Sequence, residues 1–116
     1  MKIIKTNIEN LENEKKMLYR LTKGTSISFK NMTDEELDRS WPVNAFVIYE
    51  DTSRSGNTST LISILSDDAI IGGQSKSFID SFLEIVDIMG DDDIAIHVNK
   101  FISRQNRTFY TASLDC

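Results

Sequence analysis

Between residues 100 and 110 the chain carries Lys100, Phe101, Arg104, Arg107, Phe109 and Tyr110. Cations and aromatic rings interleaved over so short a stretch are the two ingredients that hold an unpaired nucleic-acid strand. Ammonium and guanidinium groups track phosphates, and flat rings stack exposed bases whatever their identity. Alternation along a strand puts Arg107 and Phe109 on one face and Tyr110, Ala112 and Leu114 on the other, an apolar set that reads as core. Phe101 lies opposite in face to Ile96 and Val98 provided no bulge intervenes. Each of the two phenylalanines therefore has two readings, stacking surface or barrel core, whereas Arg104 sits at a hairpin tip and cannot be core. Tyr49 and Arg54 are further candidates, since Tyr49 ends a strand beside the loop that carries Arg54; the other reading of Tyr49 is a barrel-rim residue with its hydroxyl in water. Lys16 and Arg20, with Lys15 and Lys23, form either a phosphate track or a solvated helix face. Trp41 is either a stacking residue or a plug for one end of the barrel.

Other chemistries find little support. His97 lies in mid-strand with no cysteine near it in sequence, and the one cysteine, Cys116, is at the chain end, so a Cys-His nucleophile pair is not expected. The run Asp91-Asp92-Asp93 follows Gly90 and reads as a solvated loop in preference to a Mg²⁺ site. Gly72-Gly73 before a helix has the form of a site for one phosphate, but reads in preference as a sharp turn of the chain. No G-x-x-x-x-G-K and no H-E-x-x-H motif is present. No catalytic residue, metal or cofactor is expected. A single cysteine also excludes a disulfide framework within the chain.

The cations are segregated from the acids. The net charge is −5, from 13 basic and 18 acidic residues, which argues against indiscriminate nucleic-acid binding. Yet residues 15 to 33 and 94 to 114 hold 8 of the 13 basic residues and none of the 18 acidic ones. Such a distribution presents either a basic groove on a negative body or scattered solvated faces.

These residues need a scaffold, and 116 residues are one domain's worth, enough to bury roughly two-thirds of the unfolded chain's surface. No apolar run reaches the ~20 residues of a membrane span, and Met1-Lys2-Ile3-Ile4-Lys5 does not read as a secretory signal. A cytoplasmic single domain, 1–116, is the expectation. Pro42 divides it into an N-terminal arm, 1–42, and a body, 43–116. In the arm the spacing of Ile8, Leu11, Leu18 and Leu21 predicts a helix over 9–22 stopped by Gly24. Ser26 to Phe29 predicts a short strand, and Thr33-Asp34-Glu35-Glu36 has capping-box spacing for a short helix. In the body, strands are expected at Ala45–Tyr49, Thr58–Leu65, Ala69–Ile71, Ile94–Val98 and Thr108–Leu114. Ser75 caps a helix whose Phe78, Ile79, Phe82, Leu83, Ile85, Val86 and Met89 form one apolar face ending at Gly90. The fold class is mainly β with α. The order β-β-β-α-β-β is that of a five-stranded OB-like barrel, a fold whose exposed strand face and loops bind oligonucleotides or oligosaccharides. No internal repeat is evident.

A series of short patterns, in order, carries a resemblance. Trp41 leads into Val47-Ile48-Tyr49-Glu50-Asp51 and then Leu61-Ile62-Ser63-Ile64. Gly73-x-Ser75-x-x-Phe78-Ile79-x-x-Phe82 opens the helix, and Ser103-Arg104-x-x-Arg107-x-Phe109 spans the last hairpin. Over roughly 15–113 the chain resembles the small single-stranded-DNA-binding proteins of lactococcal phages and related Gram-positive mobile elements. The resemblance implies an OB-like fold and binding of single-stranded DNA with little sequence preference, in phage or mobile-element replication or recombination, within the bacterial cytoplasm. With the cations and aromatics singled out above, the expected DNA-binding set is Tyr49, Arg54, Lys100, Phe101, Arg104, Arg107, Phe109, Lys16 and Arg20. The partners would be single-stranded DNA, phage or host replication and recombination proteins, and a second copy, since one small barrel covers few nucleotides. The chain departs from the pattern at Asn106, where a glycine is expected, and Asn tolerates the same left-handed turn. It also ends at Leu114-Asp115-Cys116, without the acidic tail that recruits partners in many bacterial proteins of this function. The alternative from another class is a small acidic phage protein that binds or inhibits a host factor.

Overall fold

The computed structural model describes residues 1–24 and 26–115, so Cys116 lies outside the described residues. The elements are β1 (Lys2–Thr6), α1 (Lys15–Lys23), β2 (Ile27–Ser28), a 3-10 turn (Phe29–Asn31), α2 (Asp34–Asp38), β3 (Trp41–Pro42), β4 (Ala45–Thr52), β5 (Thr58–Ser66), β6 (Ala69–Gly73), α3 (Lys76–Met89), β7 (Ala95–Ile102) and β8 (Thr108–Leu114). From Val43 onward the order is β-β-β-α-β-β.

The arm differs from expectation in detail. β1 is an unanticipated strand, antiparallel to β4, with an irregularity between Ile3 and Lys5 that offsets its register. The helix α1 starts at Lys15, because residues 10–14 are taken up by turns closed on the Asn10 carbonyl, and Glu14 supplies no side-chain cap. The strand expected at 26–29 is shorter, since Phe29 leaves β2 to enter the 3-10 turn. The capping box is formed: Glu36 N donates to Thr33 Oγ1 at 3.2 Å, and Thr33 N donates to Glu36 Oε1 at 2.9 Å.

The eight strands form two sheets. The larger has the order β1-β4-β5-β6-β2, and the smaller β3-β7-β8. Strand β4 is buried from Ala45 to Tyr49 because both its faces are covered. Phe46 and Ile48, with Ile62, Ile64 and Ile71, meet Phe78, Ile79 and Phe82 of α3 and Ile96, Val98, Tyr110 and Ala112 of the smaller sheet. Ala45, Val47 and Tyr49, with Ile70, meet Leu21, Met17 and Leu18 of α1 and Ile3 of β1. The chain thus stacks α1, the large sheet, and a third layer of α3 with the small sheet. The expected ending of β6 at Gly72-Gly73 moves outward, and both glycines are in the strand. A Cβ at Gly72 would collide with the Ile62 carbonyl oxygen of β5.

No ladder joins the two sheets among the described residues, and no closed barrel is detected. The reason is visible at β8. One of its edges pairs with β7, and the other is occupied by α3 in place of a strand. Ser77 Oγ donates to the Tyr110 carbonyl at 2.7 Å, and the Ala112 N–H donates to Ser81 Oγ at 2.8 Å. Two helix hydroxyls so satisfy backbone groups that a closing strand would otherwise take.

Ser81→Ala removes the acceptor of a part-buried N–H and should cost about 1–3 kcal/mol of stability. Phe82→Ala, at a fully buried position, should cost about 3–5 kcal/mol. Chemical denaturation measures both. A Ser81→Ala protein as stable as the parent would show that solvent serves this edge as well as the helix does.

Candidate nucleic-acid interface

The β7–β8 ladder runs without a bulge from Ile96 opposite Leu114 to Ile102 opposite Thr108. Strict alternation follows. Ile96 and Val98 face the core, as do Tyr110 and Ala112, and Phe101 and Phe109 emerge on the opposite face, directly across from each other. Their rings lie 5.2 Å apart, inclined by 21°, and are 47% and 38% exposed. Of the two sequence readings of these phenylalanines, the structure takes the surface one. Ile102, on the other side of the same hairpin end, is 67% exposed. The hairpin therefore runs past the core and offers apolar surface on both sides.

Arg107 shares the face of this pair by alternation, Arg104 sits at the hairpin tip and Lys100 is on the opposite face; all three are exposed, and none is in an ion pair among the described residues. The tip is closed by Ser103 N to Arg107 O at 2.8 Å, Asn106 N to Ser103 O at 2.9 Å, and Arg107 N to Ser103 Oγ at 3.2 Å. Asn106 has φ +60°, the left-handed conformation expected of it.

The turn between β4 and β5 has the same construction. Ser53 N donates to Asn57 O at 2.8 Å, Gly56 N to Ser53 O at 2.9 Å, and Asn57 N to Ser53 Oγ at 3.3 Å, with Gly56 at φ +87°. The shared signal is Ser-Arg-x-(Gly or Asn)-x-Thr, at 53–58 and again at 103–108. It is too short to register as a repeat, but each copy presents an exposed arginine at its second position, Arg54 and Arg104, on a turn of fixed geometry. The strands that leave these turns, β5 and β8, both line an open cleft of about 940 Å³ through Leu61 and through Thr108 to Tyr110. Lys30 and Lys76 also line it, and neither stood out in the sequence as part of this site.

Other candidates are placed elsewhere. Tyr49, expected at a rim, is 5% exposed and belongs to the apolar cluster under α1. Lys16 and Arg20 are on α1, across the large sheet from the hairpin, and Arg20 Nη2 donates to the Asp68 carbonyl at 3.1 Å. That β5–β6 turn is at the opposite end of β5 from Thr58. Lys23 pairs with Asp51 at 3.6 Å. Trp41 is 2% exposed, its Nε1 donating to the Glu36 carbonyl at 3.0 Å and its ring lying under Arg39. Its role is in packing.

His97 is half-buried on the outer face of the small sheet. Its Nε2 lies 3.2 Å from Asp115 Oδ1, and Ser40 Oγ donates to Asp115 Oδ2 at 2.5 Å. The carboxylate stands between hydroxyl and imidazole, so the serine has no base beside it and the group is a clasp on the end of β8, not a nucleophilic triad. The Ser40 hydrogen bond, then the His97 contact, hold the Asp115 carboxyl below its ordinary value. No group of three or more His, Cys, Asp or Glu side chains is arranged to hold a metal among the described residues. No helix is long and apolar enough to cross a membrane. The chain matches no protein-family model, no curated protein and no solved structure.

The clasp makes a pH prediction. A carboxyl whose pKa is depressed on folding contributes stability above its unfolded value and loses it as pH falls through the folded value. Parent and Asp115→Asn proteins should therefore differ in melting temperature at neutral pH and converge in acid. A difference independent of pH would show that the carboxylate charge is not what fastens the strand.

Proposed function

We propose that this chain binds single-stranded DNA with little sequence preference, protecting it during phage or mobile-element replication or recombination. The observation that carries the reading is the exposed Phe101–Phe109 pair, 5.2 Å between ring centroids, on a hairpin that also carries Arg107 on the same face, Arg104 at the tip and Lys100 on the opposite face. Two aromatic rings left in water beside unpaired cations are costly as plain surface and useful as a stacking platform with a phosphate track. The order of elements in the body is that of an OB-like domain, in which loops at one end of the strands flank the bound strand. On this reading the Arg54 and Arg104 turns are the two lips of the binding face. The protein would act in the bacterial cytoplasm without a cofactor, as a homodimer that covers more nucleotides than one copy, alongside phage or host replication and recombination proteins. Tyr49, Lys16 and Arg20 have no part in it, given their placement.

Trp41, Tyr49 and Tyr110 are buried, so anisotropy of a labelled oligo-dT is a better readout than intrinsic fluorescence. Binding should weaken with salt, and three hairpin cations give a slope of log K against log salt of roughly −2. Arg104→Ala with Arg107→Ala should flatten that slope by about 1.4. Phe109→Ala should cost about 1–3 kcal/mol of binding with the slope unchanged. Equal affinity for a duplex of the same length would sink the stacking mechanism. No affinity for either would favour the protein-interaction reading.

A further inference from the structure

The cleft of about 940 Å³ below the hairpin holds two cations that a hairpin-only site leaves unused, Lys30 and Lys76. They are distant in sequence and meet through topology. β2 runs parallel to β6, with Ile27 beside Ile71 and Ser28 beside Gly72. That pairing delivers Lys30 to the place where β6 ends and α3 begins with Lys76. Phe109 belongs to both surfaces, since its ring stacks on Phe101 and the residue also lines the cleft. One carboxylate, Asp80, lines it too and lies 4.0 Å from the Lys76 ammonium, with both side chains largely exposed at 92% and 61%. A pair this open to water contributes little and leaves the ammonium free to meet another anion. The size falls within the roughly 300–1,000 Å³ range of sites that enclose a small ligand.

Resting on the single-strand reading above, we infer that this cleft is a subsite for the sugar-phosphate backbone. Lys30 and Lys76 neutralise phosphodiesters next to the nucleotide stacked at Phe109. The strand then runs from the outer face of the hairpin, over its edge, into the gap between the two sheets. The two lysines add to the arginines of the turns as a second set of counter-charges, and the subsite reads backbone only, in keeping with binding that ignores sequence.

The test uses the full chain and fluorescein-labelled oligo-dT over a salt series. Lys30→Gln with Lys76→Gln should flatten the slope of log K against log salt by about 1.4, and Lys30→Arg with Lys76→Arg should restore it. Both lysines are exposed, so melting temperatures should match the parent's. Oligo-dT binding with a slope that responds to Arg104→Ala and Arg107→Ala but not to the lysine variants overturns the subsite and leaves the single-strand reading standing. A parent protein that does not bind oligo-dT at all overturns both. If the glutamine variant lost affinity with its slope unchanged, phosphate neutralisation by these lysines would be refuted.

Discussion

The outer edge of β8 is the constraint on which the rest of the molecule turns. A strand with one unpaired edge exposes backbone donors and acceptors that must be served by water, another strand or side chains. Here the helix α3 serves them through Ser77 and Ser81, one turn apart, while Phe78 and Phe82 next to them drive into the core. Adjacent stripes on one helix thus do two jobs. The aromatic stripe joins the sheets through burial, and the hydroxyl stripe fixes the hairpin's position along the helix. Because β8 is held in this way as far as Tyr110, the hairpin can continue beyond the core to Phe109 and Arg107 without the support of a third strand. A helix where a barrel-closing strand would run also leaves the gap between β6 and β8 that becomes the cleft.

An acidic protein with exposed cations gathered on one hairpin raises a question of range. At physiological salt, charges separated by more than about 8 Å are largely screened. A polyanion therefore feels the nearby Lys100, Arg104 and Arg107 more than the net charge of −5. Distance and pairing share the sorting here, and Asp80, which lines the cleft, lies beside Lys76. Asp67 and Asp68 are on the β5–β6 turn at the far end of the large sheet, and Asp51 is engaged with Lys23. The far-field repulsion that remains disfavours loose contact elsewhere on the surface.

Much of the body was legible because its signals are local. The β-branched run at Ala45–Tyr49, the Ser75 cap and the Thr33–Glu36 box each fix an element through neighbours in sequence. The alternation at the last hairpin assigned Tyr110 and Ala112 to the core. What escaped depends on contacts remote in sequence. β1 was hidden because two adjacent isoleucines followed by Lys5 and Thr6 do not alternate; in the strand Ile3 and Ile4 take opposite faces, Ile4 staying 47% exposed, and the irregularity after Ile3 puts Thr6 in place of Lys5 on the inner side. Tyr49 looked like a rim residue because nothing local says that α1 will cover that face. Lys30 and Lys76 come together only through a two-residue parallel pairing, which carries no periodicity of its own. Arg104 and Arg107 were readable because a tight turn has few places to put a side chain other than into solvent.

The pairing of β1 with β4 has a consequence for how the chain is made. Lys2 finds its partner at Glu50 and Thr6 at Val47, so β1 has no ladder until β4 has followed it out of the ribosome. The β4–β5 and β7–β8 hairpins close over tight turns and lose little chain entropy in doing so, whereas each edge strand of the large sheet must close a long loop before any contact repays it. During synthesis the nine residues of α1, too few to hold a helix alone, thus travel with Met17, Leu18 and Leu21 uncovered, interleaved with the charges of Lys15, Lys16, Arg20 and Lys23, until the sheet beneath them exists.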